Sequence, residues 1–252
     1  MSALISPPEL QKILQQFNVR ILDASYNLPP SSIGIAGAQN FNIDDIADPI
    51  SPFAHTVPTA EIFAQKAGAL GIGNDDLVVI YDRGGIAMAA ARAWWMFRLF
   101  GHENVKILNG GLPAWIKAGY PTTEKSLAPP APAVFRVNFR EELLKQTPEI
   151  NNNLSRKEFT VLDARDTARF TAGHIPNSLN VPYTTLLNND GTLKEQPFKP
   201  PQGNLACTCG SGVTACVVAL ALFEMGRTDT AIYDGSWTEW GADPKLPKAQ
   251  GI

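Results

Sequence analysis

The chain carries only 3 cysteines in 252 residues, all between positions 207 and 216. Three clustered thiols cannot build a disulfide framework, so their crowding asks for a chemical explanation. Long apolar runs are missing, and none approaches the ~20 residues that span a bilayer. Neither sign of charge dominates. Lys plus Arg is 21 and Asp plus Glu is 24, a net charge of −3. The basic stripe that grips nucleic acid is therefore lacking. The opening Met-Ser-Ala-Leu-Ile-Ser-Pro-Pro has no basic stretch leading into an apolar one. A secretory leader is not expected, and the scarce cysteines point to a cytoplasmic setting. No Gly-x-Gly-x-x-Gly follows a strand pattern, and Gly71-Ile-Gly73 is only a turn before one. No second Cys pair or neighbouring His pattern completes a zinc site. Nucleotide, flavin and metal cofactors are thus not expected.

What is present is a core-forming composition, 44% hydrophobic, and an internal repeat. Val19-Arg-Ile-Leu-Asp-Ala-Ser25 and Phe159-Thr-Val-Leu-Asp-Ala-Arg165 are both apolar runs ending in Asp, 140 positions apart. Such runs read as buried strands leaving into loops. At the same offset Gly34–Phe41 lies over His174–Val181. Further strands follow at Leu77–Tyr81 and around Gly203–Cys207, each leading through a Gly-bearing turn into an Ala-rich helix. Those helices are expected near Met88–Phe100 and Val213–Met225, stopping at Gly101 and Gly226. Val105–Gly111 and Thr230–Ser236 then repeat at an offset of 125, each followed by a Trp, Trp115 and Trp240. Alternating strands and helices predict an α/β fold of two units, each a small, mostly parallel sheet flanked by helices. The Pro-rich tract Ser126–Pro132 predicts the join: an N-terminal unit 1–122, a linker 123–135 and a C-terminal unit 136–252.

The cysteines lie in Cys207-Thr-Cys-Gly-Ser-Gly-Val-Thr-Ala-Cys216, after a strand and before a helix. A tight loop there turns backbone N–H groups inward and makes an anion cradle. The loop Gly210, Ser211, Gly212, Val213 and Thr214 begins beside Cys209. A thiol at that position is expected to gain thiolate character and nucleophilicity. Cys207 is still on the strand and Cys216 is in the helix, where small apolar packing suits them better. A Cys-dependent phosphatase needs an Arg six residues after the nucleophile, and here that position is Ala215.

The loop Cys209-Gly-Ser-Gly-Val-Thr214, the tandem repeat and the terminal Asp234-Gly-Ser-Trp-Thr-Glu-Trp240 resemble the tandem-domain rhodaneses, and among them the 3-mercaptopyruvate sulfurtransferases. The first half agrees, with Tyr81-Asp-Arg-Gly-Gly85, Ala91-Arg-Ala-Trp-Trp-Met-Phe97 and Asn109-Gly-Gly-Leu-Pro-Ala-Trp115 resembling the family's inactive N-terminal domain. The resemblance implies a sulfurtransferase in which Cys209 takes the sulfur of 3-mercaptopyruvate as a persulfide and passes it to a thiol, such as thioredoxin or glutathione, or to cyanide. It also implies substrate binding by Arg169 and structural roles for Arg165 and His174. The neutral pair Gly210-Ser211 suits a singly charged donor, whereas thiosulfate-preferring relatives carry basic residues there. A thiosulfate enzyme and a protein persulfide carrier remain the alternatives.

Three departures stand against the family pattern. Only Thr171, Ala172 and Gly173 remain where a second substrate Arg is expected. Gly34 stands where many members have a His, and Leu28–Ile33 contains no Asp, so no Ser–His–Asp relay can be assigned to Ser211. His55, in the long first-half loop Pro52–Pro58, is expected to be a solvated loop residue rather than one reaching the cleft between the units. Ungapped pairing at offset 125 sets Gly84 opposite Cys209 and Asp82 opposite Cys207, leaving the role of Arg83 open between the cleft and solvent.

Overall fold

The computed structural model describes residues 2–16, 18–29, 31–85, 88–125 and 130–251. The first unit runs β1 Leu4–Ile5, α1 Pro7–Ile13, β2 Val19–Asp23, β3 Ile33–Gly34, β4 Gln39–Asn40, α2 Ala60–Ala69, β5 Leu77–Tyr81, α3 Met88–Leu99, β6 Val105–Leu108, α4 Gly111–Lys117 and β7 Thr123–Glu124. The second runs β8 Leu144–Lys145, α5 Thr147–Arg156, β9 Phe159–Asp163, α6 Thr167–Ala172, β10 Leu179–Asn180, β11 Asn204–Thr208, α7 Ala215–Glu224, β12 Ala231–Tyr233 and α8 Ser236–Ala242.

Each unit builds a five-stranded parallel sheet. The orders are β1-β6-β5-β2-β4 and β10-β9-β11-β12-β8, the same arrangement written from opposite edges. The central strands explain themselves. β5 is Leu-Val-Val-Ile-Tyr, apolar on both faces, as a parallel strand covered by helices on both sides must be. The short antiparallel pair β3–β7 closes the first unit.

Helices α3 and α7 carry apolar residues all round, so neither can face water. They pack against each other and join the two units into one apolar core. Trp94 of α3 meets the Phe223 ring of α7 edge to face at 5.3 Å. Arg98 lies over both rings and donates to the Thr228 carbonyl at 2.9 Å. Gly101 and Gly226 follow these helices at φ +88 and +85, a left-handed turn that spares glycine the Cβ clash. Trp115 and Trp240 are both fully buried, donating to the Pro121 and Pro247 carbonyls.

Around the join, Lys125 is buried against Asp23 and Asn40, and Phe135 sits among the Phe63, Phe97 and His102 rings of the first unit. Of the Pro-rich tract, residues 126–129 lie outside the described residues.

The sheet registers revise the alignment of the halves. Asp23 pairs with Tyr81, and Asp163 pairs with Thr208. Because Asp23 and Asp163 are equivalent, Tyr81 matches Thr208 and the next residue, Asp82, matches Cys209. The pairing of Gly84 with Cys209 is therefore wrong by two residues. The later strands keep the offset of 125, since Ile80 pairs with Ile107 and Cys207 with Ile232. The two-residue difference is taken up within α3, which has 12 residues against 10 in α7. A constant offset across the helices hid this difference.

Candidate functional site

Strand β11 carries Cys207 and ends at Thr208; Cys209 opens the loop that leads to α7. Cys209 is 2% exposed, while Gly210, Ser211 and Thr214 are part-exposed and Gly212 and Val213 are buried. The thiol thus lies at the floor of a loop whose rim is open.

The loop is anchored from beneath by the segment after β12. The Cys209 N–H donates to Ser236 Oγ at 3.1 Å, and that hydroxyl donates to the Tyr233 carbonyl at 2.8 Å. The Cys209 carbonyl accepts from Trp237 N–H at 3.0 Å. The Gly210 carbonyl accepts from the Thr238 N–H at 2.9 Å and its hydroxyl at 2.6 Å. Arg165 supports this anchor. It pairs with Asp163 at 2.6 Å, donates to the Gly173 carbonyl at 2.8 Å and lies 4.5 Å over the Trp237 ring.

Gly212 turns the loop at φ +78. A side chain there would come within 2.9 Å of the Asp234 carbonyl oxygen, so both conformation and space demand glycine. Gly85 holds the same position in the first unit at φ +77. That loop begins at Asp82 and contains Arg83 and Gly84; its last two residues, Ile86 and Ala87, lie outside the described residues. The anchoring repeats too, since Leu112 N–H donates to the Asp82 carbonyl at 3.0 Å, as Trp237 does for Cys209.

Arg169 stands beside the mouth of the second loop. Its Nη1 is 4.0 Å from where a Gly210 Cβ would lie. Its Nε is held by Asp166, the residue that also caps α6. The side chain is 60% exposed, and among the described residues its Nη groups make no hydrogen bond within the chain. It is therefore both a surface ion pair and an open cation at the loop.

The other thiols are packed core. Burial pushes the Cys207 thiol well up, and pushes Cys216 up to about 12 although the adjacent Arg92 guanidinium pulls the other way. Cys216 Sγ bonds the Gly212 carbonyl at 3.2 Å. His174 is buried, stacks on Phe170 at 3.9 Å and donates through Nδ1 to the Phe170 carbonyl at 3.0 Å. That is a fold-stabilising role, as expected.

One sequence expectation needs correction, and one open position can be described. His55 is not a solvated loop residue: its side chain is 8% exposed and Nδ1 sits 2.7 Å from the Asp44 carboxylate. The Tyr26 hydroxyl lies 3.4 Å from its Nε2. His55 thus has an acidic partner from its own loop, a pairing that no short spacing reveals. Ser211 makes no side-chain hydrogen bond among the described residues, so these groups do not form a relay with it. Arg83, whose place the sequence leaves open, is 17% exposed in its side chain. It folds into its own unit, donating to the Pro29 carbonyl at 2.6 Å and standing 3.6 Å from Asp23.

Sequence reasoning missed Arg92 and Asp234 as part of the site. Arg92 of α3 is fully buried, and its Nη2 is 2.7 Å from Asp234 Oδ1. The only signal was the Asp at the end of β12, on the same sheet edge as Cys209.

Comparison with known proteins agrees with the repeat. The rhodanese-like domain family matches residues 6–118 and again 146–243. The chain is 40% identical to the 3-mercaptopyruvate sulfurtransferase of Homo sapiens, over 88% of this chain and 84% of that one. It is 38% identical to the thiosulfate sulfurtransferase of Gallus gallus, over 94% and 93%. Its fold superposes on SseA, a 3-mercaptopyruvate sulfurtransferase from Escherichia coli, with a TM-score of 0.85 and 30% identity, covering 94% of this chain and 99% of that one. The chain belongs to the rhodanese-like domain family, with two copies of the domain in tandem.

Proposed function

We propose that the protein is a sulfurtransferase whose carrier is Cys209, with 3-mercaptopyruvate as donor. The observation that carries this reading is the asymmetry of the repeat. A thiol opens the loop of the second unit, with the Nη groups of Arg169, unpaired among the described residues, beside it, and a carboxyl opens the equivalent loop of the first.

The Cys209 thiolate attacks the thiol sulfur of the donor. An S–S bond forms as the donor's C–S bond breaks. The electron pair leaves on carbon as the enolate of pyruvate, which takes a proton from water. Cys209 now carries the outer sulfur as a persulfide, the covalent intermediate of a two-step transfer. An acceptor thiolate, of thioredoxin or glutathione for example, or cyanide then attacks that outer sulfur and frees the Cys209 thiolate. The loop N–H groups stabilise the anionic sulfur, and Arg169 takes the donor carboxylate. Loop positions Gly210 and Ser211 add no positive charge, which favours the singly charged mercaptopyruvate over the thiosulfate dianion.

Turnover with each donor, by the parent and by Cys209→Ser, tests the reading. Cys209-dependent pyruvate release supports it. Turnover of thiosulfate alone would move the donor assignment to thiosulfate.

A further inference from the structure

The two equivalent units differ at a buried place beside the Cys209 loop. Counting on from the matched residues Asp82 and Cys209, Arg92 of α3 falls opposite Ala219 of α7. Through the matched strands β6 and β12, Asp234 falls opposite Asn109. The charged pair Arg92–Asp234 therefore stands where its counterpart pair, Ala219 and Asn109, is neutral. It lies against the loop that contains Cys209.

The geometry is close. A Gly212 Cβ would be 3.2 Å from Arg92 Nη1 and 3.2 Å from Asp234 Oδ1, so the pair touches the loop's turning residue. Arg92 comes from the first unit, while Asp234, Gly212 and Cys216 belong to the second. The other Asp234 oxygen accepts the Val57 N–H of the first unit at 2.8 Å. Arg92 Nη2 also donates to the His55 carbonyl. That carbonyl is presented by a left-handed backbone, φ +64. Yet among the described residues Arg92 Nε and Nη1 are buried with no hydrogen-bond partner. Leaving such donors unpaired is costly, which argues that the charge serves something other than stability.

We propose that Arg92, supplied by the cysteine-free loop's unit, is a positioning residue for the Cys209 loop, holding Gly212 in place and adding positive potential beneath the reactive thiol. The inference rests on Cys209 being the reactive thiol of the proposed function. Burial alone would weaken the guanidinium's hold on its proton. The Asp234 carboxylate and the adjacent Cys216 together more than offset that, so Arg92 stays charged. The groups that face Arg92 are Asp234 from the β12–α8 turn, Cys216 from α7 and the His55 carbonyl, with Asp44 behind His55. Those around Cys209 are this pair, Arg169, Cys207 and Cys216.

The test is the pH dependence of Cys209 alkylation by iodoacetamide in the full chain, read by peptide mass. Arg92→Gln removes the positive charge and is expected to raise the alkylation midpoint by at least about 0.5 unit. Asp234→Asn removes the opposing negative charge and is expected to lower it. Arg92→Lys keeps the charge and holds the midpoint near that of the parent. Loop damage alone would move both neutralising variants the same way. Shifts of the same sign, or no shift in Asp234→Asn, overturn the proposal. If Arg92→Gln does not fold, Asp234→Asn and Arg92→Lys still decide it. Alkylation needs no sulfur donor, so opposite shifts without persulfide formation would reject the sulfurtransferase reading and leave this one standing.

Discussion

Asp82 occupies in the first unit the place that Cys209 holds in the second. Each follows the strand residue that pairs with an equivalent Asp, Asp23 or Asp163. Each offers its carbonyl to the N–H of a residue in the same later turn, Leu112 or Trp237. The same loop frame therefore holds a carboxyl in one unit and a thiol in the other. Only the thiol can accept a sulfur atom.

The buried Asp82 has a consequence for stability. Burial raises its carboxyl to about 6 from the model-compound 3.8, with Asp23 adding to the rise and the Gly84 N–H opposing it. The folded state then keeps this proton to higher pH than the unfolded state does. Its contribution to stability is fullest below the unfolded value and is lost as pH rises through 6. Asp82→Asn should escape that loss while still accepting from Gly84. Its stability relative to the parent should be about 1–2 kcal/mol better at pH 8 than at pH 5. Urea unfolding at the two pH values checks this; an equal difference at both would contradict it.

Arg169 offers a test of donor binding. On the proposed function, replacing it with Ala removes a charged contact to the donor carboxylate worth ~1.5–3 kcal/mol, or about ten- to a hundredfold in affinity. The expected result is a rise of that size in the KM for 3-mercaptopyruvate, with kcat much less affected. Steady-state kinetics of pyruvate release would show it. An unchanged KM would leave Arg169 as a surface partner of Asp166 only.

His174 should separate fold from chemistry. His174→Ala loses a stacked ring and a buried hydrogen bond, at a cost of about 2–4 kcal/mol. A lower Tm with kcat/KM within about twofold of the parent below that Tm is expected. A large drop in kcat/KM in the folded variant would place His174 in the chemistry.

Gly212→Ala forces a Cβ toward the Asp234 carbonyl in a left-handed conformation. Persulfide formation should slow by at least about tenfold, since misplaced reacting groups lose rate steeply. Rapid-quench measurement of persulfide on Cys209 tests it, and parent-like rates would contradict it.

Much of the fold could be read from local pattern. Val19–Asp23, Leu77–Tyr81 and Phe159–Asp163 are continuous apolar runs, and the glycines at 101 and 226 mark helix ends by conformation alone. The Cys209 loop was legible for the same reason, because its glycines and its place between strand and helix are local features. Three things were not. The match of Asp82 to Cys209 needed the sheet register, since α3 is two residues longer than α7 and shifts the count. His55 reads as a polar loop residue until folding brings Asp44 and Tyr26 to it. Arg92 sits in an apolar helix, and its partner is Asp234, 142 positions on. Only the packing of α3 on α7 brings them together.

The most direct test of the central claim is the intact mass of the full chain after exposure to 3-mercaptopyruvate without an acceptor. The parent should gain one sulfur atom, mapped to Cys209, with one pyruvate released for each sulfur bound. Added thiol or cyanide should remove it, and Cys209→Ser should neither gain sulfur nor release pyruvate. Pyruvate release that survives in Cys209→Ser, or a sulfur adduct mapped to Cys207 or Cys216 instead, would contradict it.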